Sequence, residues 1–81
     1  MNIQLIQGEF SSQDALELIT QMIHVKIRYH EKKIASNSNE EDIKYRESKI
    51  KKLQKDLFDL RNNISTKTDP AKIYATINIE E

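Results

Sequence analysis

The chain reads as a mainly α protein: a long antiparallel helical hairpin of coiled-coil type, with a short N-terminal strand, a C-terminal strand, and assembly into a dimeric four-helix unit. Three observations predict this. Two long stretches carry apolar residues three and four positions apart and contain no glycine or proline. A run of short polar residues, Ser36-Asn37-Ser38-Asn39, separates them and suits a turn, because such side chains compete for backbone hydrogen bonds. The apolar stripes of the two stretches also share one register when the chain folds back at that run.

The opening segment 2–7 mixes Ile3, Leu5 and Ile6 with amides and reaches Gly8, the only glycine, so it reads as a short strand closed by a turn. Ser11 then stands as the N-cap of a first helix over 12–35. Asp14 lies three residues on to complement the exposed amides, and Phe10 is placed to staple onto Ala15. The turn occupies 36–39. Asn39 followed by Glu40, Glu41 and Asp42 starts a second helix over 40–64, with acids where the helix dipole favours them.

In the second helix Ile43, Arg46, Ile50, Leu53, Leu57, Leu60 and Ile64 repeat with coiled-coil spacing, and only Arg46 departs from apolar. The first helix offers Leu16, Thr20, Ile23, Ile27, His30 and Ile34. Facing residues of an antiparallel pair have position numbers with a near-constant sum. Here Ile34 meets Ile43, His30 meets Arg46, Ile27 meets Ile50, Ile23 meets Leu53, Thr20 meets Leu57 and Leu16 meets Leu60, and every sum is 76 or 77.

A polar connector spans 65–72, and residues 73–79 alternate apolar and polar side chains in the manner of a half-buried strand. Asp69-Pro70 equally suits the start of a short helix; the β-branched residues and the clean alternation favour the strand. A hairpin returns the chain to its start, so both strands lie at one end of the bundle and can pair. Two strands alone are marginally stable, and a dimer offers four. The whole of 1–81 is one domain.

Function is less legible. Eighty-one residues, 37% of them hydrophobic and 32% charged, suit thin helices with wet faces and leave too small a core for comfort, which favours an oligomer. With no cysteine there is no disulfide, thiolate metal site or cysteine nucleophile, and the default setting is reducing and cytoplasmic. No apolar run approaches the ~20 residues of a membrane span, and Met1-Asn2-Ile3-Gln4 lacks signal-peptide order, so no membrane association is expected.

No catalytic machinery is recognisable. His24 and His30 are six apart, which is not the spacing of a helical metal pair. Glu40, Glu41 and Asp42 are explained by capping, the serines have no histidine placed to activate them, and a lone glycine makes no phosphate cradle. No cofactor or metal is expected. His30 opposite Arg46 reads as a register-setting polar layer, with Glu31 or Glu47 as candidate partners, or alternatively as a pH switch.

Two surfaces remain. On the first helix Ala15, Leu18, Met22, Val25 and Tyr29 form a second stripe, roughly 140° around the axis from the seam, which needs a cover. A second copy of the chain, another protein and the terminal strands are the candidates, with a homodimer favoured. Net charge is zero, but between His24 and Lys55 ten basic residues stand against five acids. Lys26, Lys32, Lys33, Lys44, Lys51, Lys52 and Lys55 form a candidate basic patch. The leading expectation is therefore a non-enzymatic protein-interaction or oligomerisation module, and the alternative is a small nucleic-acid-binding regulator using that basic distal half.

The order strand, helix, helix resembles that of the ribbon-helix-helix repressors, where the paired strands of a dimer enter the DNA major groove. The resemblance implies base readout from the strand. The strand here offers Gln4 and Gln7, with no arginine or lysine, and the helices are much longer than in that family.

Overall fold

Ser11 ends one element and begins the next. Its hydroxyl accepts the Asp14 amide N–H at 3.1 Å, satisfying one orphan donor of the first helical turn, and its carbonyl accepts the Ala15 N–H at 2.8 Å as the first bond of the helix. The computed structural model describes residues 1–64 and 70–81. Within them the order is β1 (Asn2–Phe10), α1 (Ser12–Ala35), α2 (Glu40–Ile64) and β2 (Ala71–Asn78).

The turn between the helices is built by asparagines. The Asn39 amide N–H donates to Asn37 Oδ1 at 2.9 Å, and Asn39 Oδ1 accepts the N–H groups of Glu41 and Asp42 at 2.9 and 3.2 Å. Asn39 is thus the N-cap of α2, ahead of three acidic residues at the positive end of the dipole. At the other side of the turn the Ser36 hydroxyl donates weakly toward the Lys32 and Lys33 carbonyls, covering the frayed end of α1.

The two helices pack side by side, antiparallel, along the seam. Every seam residue, from Leu16 to Ile34 on α1 and from Ile43 to Ile64 on α2, is at least half-withdrawn from solvent, with His30 and Leu57 buried. The residues between them are exposed, apart from Ile19 and His24 on α1, which are half-buried. Burial therefore follows the three-four periodicity of the stripes, which is what a helix gains from sequestering one face.

β1 and β2 form an antiparallel two-stranded ribbon running from Asn2 opposite Asn78 to Phe10 opposite Ala71. The register shifts between Gln4 and Ile6, so Leu5 is the extra residue of a one-residue bulge. That bulge matters because Ile3 and Ile6 are three apart, and simple alternation would send them to opposite faces. With Leu5 left out of the pairing, Ile3 stands opposite Ile77 and Ile6 opposite Ala75, on one apolar face. The half-buried residues Ile6, Gly8, Phe10, Ala71, Ile73 and Ala75 are the part of this face near the helices. Ile3, Ile77 and Ile79 continue the same face beyond it and are exposed.

Both strands differ in extent from the sequence expectation. β1 runs to Phe10 because Gly8 does not turn the chain: it pairs with Ile73 inside the ribbon, at φ 140°, a backbone conformation that glycine alone takes without strain. β2 begins at Ala71, since Lys72 and Ala71 pair with Glu9 and Phe10, and it ends at Asn78. The short-helix alternative after Pro70 is not taken. Of the expected connector, residues 65–69 lie outside the described residues. β1 finds its partner within its own chain rather than in a second copy, unlike the arrangement that the resemblance to ribbon-helix-helix repressors implies.

The chain has almost no interior. Ala15 and Leu57 are its buried hydrophobic residues among those described, and no large side chain is fully enclosed. The radius of gyration is 15.2 Å, against about 12 Å for a compact chain of this length. The extents are 46 × 32 × 13 Å, so the molecule is one layer of secondary structure thick. A second layer would add roughly 10 Å.

Candidate interaction surface

Near the turn, polar side chains from both helices meet. Arg46 Nη1 lies 3.2 Å from His30 Nδ1 across the seam, and Arg46 Nε lies 3.2 Å from Asp42 Oδ2 one turn back on its own helix. Asp42 Oδ2 also accepts from the Asn37 side-chain amide, which ties the network to the turn. Arginine has no acceptor, so it donates to Nδ1, and His30 must be the neutral tautomer with its proton on Nε2. Tyr29 caps the group from outside. Its ring lies edge-on to His30 with centroids 5.5 Å apart, and it is approached by Arg46 at 5.8 Å and Lys33 at 5.7 Å.

The sequence placed His30 against Arg46 but assigned the wrong acid. Glu31 and Glu47 are exposed and take no part among the described contacts, and Asp42 serves instead. Helical side chains lean toward the N-terminus, so Arg46 reaches back to Asp42 four residues earlier rather than forward to Glu47. The i, i+4 spacing of Asp42 and Arg46 is the signal in the sequence for this pair.

The second stripe of α1 lies on the face turned away from α2. Leu18 and Met22 are 38% and 37% exposed, and Val25 and Tyr29 are 58% and 53% exposed. Ala15 departs from the group: it is 0% exposed, closed off within the chain in the first turn of α1 where strand meets helix, so it contributes nothing to an outer surface. The fold of the single chain therefore encloses the first residue of the stripe and leaves the other four open.

Two shallow hollows flank this stripe, one at each end. The hollow at the start of α1, about 370 Å³, is lined by Phe10, Asp14, Glu17, Leu18 and Gln21. The hollow at its finish, about 320 Å³, is lined by Tyr29, Lys32, Lys33 and Ser36. One is apolar with an acidic rim; the other is aromatic with a basic rim.

The lysines of the expected basic patch are distributed over both helices. Lys26, Lys32, Lys33, Lys44, Lys51, Lys52 and Lys55 are all exposed. At ~100° per residue the four on α2 lie well over 90° from its seam, so they face away from α1. Lys32 on α1 faces away from α2 in turn. The seam that joins the helices thus divides the lysines between two outward faces.

Among the described residues no three histidine, aspartate or glutamate side chains gather in a way that could hold a metal ion, and no helix is long and apolar enough to cross a membrane. No protein-family model, curated protein or solved structure matches this chain.

Proposed function

We propose that this chain is a non-enzymatic interaction module that works as a cytoplasmic homodimer, a coiled-coil-like four-helix assembly with α1 inside and α2 outside. The observation that carries the reading is the open stripe Leu18, Met22, Val25 and Tyr29, on a fold that fully encloses no large side chain among the described residues. An apolar face of this kind on a one-layer body leaves stabilising burial unused. Domains are ordinarily built from at least two packed layers around a core. A second copy supplies the missing layer with a surface already matched to the first, as two-fold symmetry requires. Docking of a further protein partner on the far end of the ribbon, where Ile3, Ile77 and Ile79 are exposed, is compatible with this arrangement.

The test is sedimentation of the wild-type chain and of Met22→Glu and Val25→Glu variants across micromolar concentrations. The expected outcome is a dimer for the wild type and a monomer for each variant, since a buried unpaired carboxylate costs several kcal/mol. A wild-type chain that sediments as a monomer throughout, or variants that remain dimeric, would place the stripe outside any self-interface.

A further inference from the structure

We propose that two copies pack antiparallel along α1, with the acidic hollow of each chain receiving the basic, tyrosine-bearing hollow of the other. This rests on the homodimer reading above and adds the orientation and the pairing.

The flank of the stripe is a charge dipole. At ~100° per residue, Asp14, Glu17, Gln21, Arg28 and Lys32 fall along the same side of Leu18, Met22, Val25 and Tyr29. The order along the helix is two acids, a neutral amide, then two bases, and all five side chains are exposed. A two-fold axis perpendicular to a pair of facing helices brings the same flank of each copy together with its direction reversed. Antiparallel packing therefore sets Asp14 and Glu17 against Arg28 and Lys32 of the second copy, twice over. Parallel packing would turn this flank toward the opposite flank of the second copy, so Asp14 and Glu17 would not meet Arg28 and Lys32.

The apolar positions agree with the charges. With Met22 opposite the second copy's Val25, Leu18 falls opposite its Tyr29, and both pairs have position numbers adding to 47. In the same register Asp14 and Glu17 lie within about one helical turn of the second copy's Lys32 and Arg28. The two hollows then coincide. Tyr29, 53% exposed in the single chain, faces the depression between Phe10 and Leu18, while Lys32 approaches the Asp14 and Glu17 rim. The side chain that stands proudest at one end of the stripe meets the cavity at the other. The aligned dipoles of the two α1 helices also oppose, which favours the antiparallel sense.

The chain has no cysteine, so single introduced cysteines report the orientation directly. In the antiparallel dimer an equimolar mixture of Leu18→Cys and Tyr29→Cys chains forms a mixed disulfide on oxidation. Leu18→Cys alone does not, because its two thiols lie roughly 16 Å apart along the axis and a disulfide needs α-carbons within about 7 Å. Glu17→Lys should weaken the dimer about tenfold by sedimentation, and the double variant Glu17→Lys with Arg28→Glu should recover it. A disulfide in Leu18→Cys alone, or a dimer indifferent to Glu17→Lys, overturns the orientation. So does the absence of both cross-links from cysteine variants that still sediment as dimers. A wild-type chain that never dimerises overturns the homodimer reading itself, and the orientation with it.

Discussion

Arg46 interrupts an otherwise apolar stripe, and the structure shows what surrounds it: His30 Nδ1 on one side, Asp42 on the other, and the Tyr29 ring outside. Asp42 keeps the Asn37 side-chain amide if the guanidinium is removed, whereas buried His30 loses its partner. Arg46→Ala should therefore lower stability by about 2 kcal/mol in urea unfolding, mainly through the stranded acceptor on buried His30. A double change of His30→Leu and Arg46→Leu should be as stable as the wild type or more so, since an apolar layer has no desolvation to offset. A double variant weaker than Arg46→Ala would mean the polar layer stabilises in its own right. The register check made the His30–Arg46 encounter legible from residue numbers alone. What it could not supply is the choice among nearby acids, which depends on the direction an arginine side chain takes from the backbone.

At the scale of elements, the helices were the readable part, because their information is local. Ser11 and Asn39 are good caps by chemistry, and the stripes repeat often enough to outweigh any single residue. The ribbon was less readable because a strand's pairing is settled by its neighbour. Gly8 is a turn residue in isolation and a paired strand residue once Ile73 lies opposite. The bulge at Leu5 is likewise invisible in β1 alone: it exists because Ile3 and Ile6 must both match the face set by Ile77, Ala75 and Ile73. This has a consequence for deletion. Removing Leu5 leaves Ile3, Ile6, Gly8 and Phe10 in strict alternation with polar residues, so the shortened strand should pair with β2 without a bulge. We expect circular dichroism and thermal unfolding of the deletion variant to stay close to wild type. A deletion that instead flips one half of β1 onto the wrong face would lower stability by several kcal/mol, because Ile3 would exchange places with Gln4.

The whole molecule is where folding and assembly join. Its 13 Å thickness leaves each chain without the second layer that normally repays conformational entropy, and the exposed stripe on α1 is the surface a partner layer would use. The notion of a second stripe was legible in the sequence from spacing alone. That Ala15 drops out of it was not, since its burial depends on the tertiary fold and not on helical spacing. If the second layer is another copy, the stability of the fold depends on chain concentration, because unfolding of a dimer releases two molecules. Each tenfold rise in concentration should then add about 1.4 kcal/mol to dimer stability and raise the melting temperature by about 4 °C. The slope should vanish in Met22→Glu, whose melting temperature should fall below that of the wild type at every concentration. A wild-type melting temperature that holds constant over two decades of concentration would mean that the single layer folds unaided, and that whatever occupies the Leu18–Tyr29 face arrives after folding is complete.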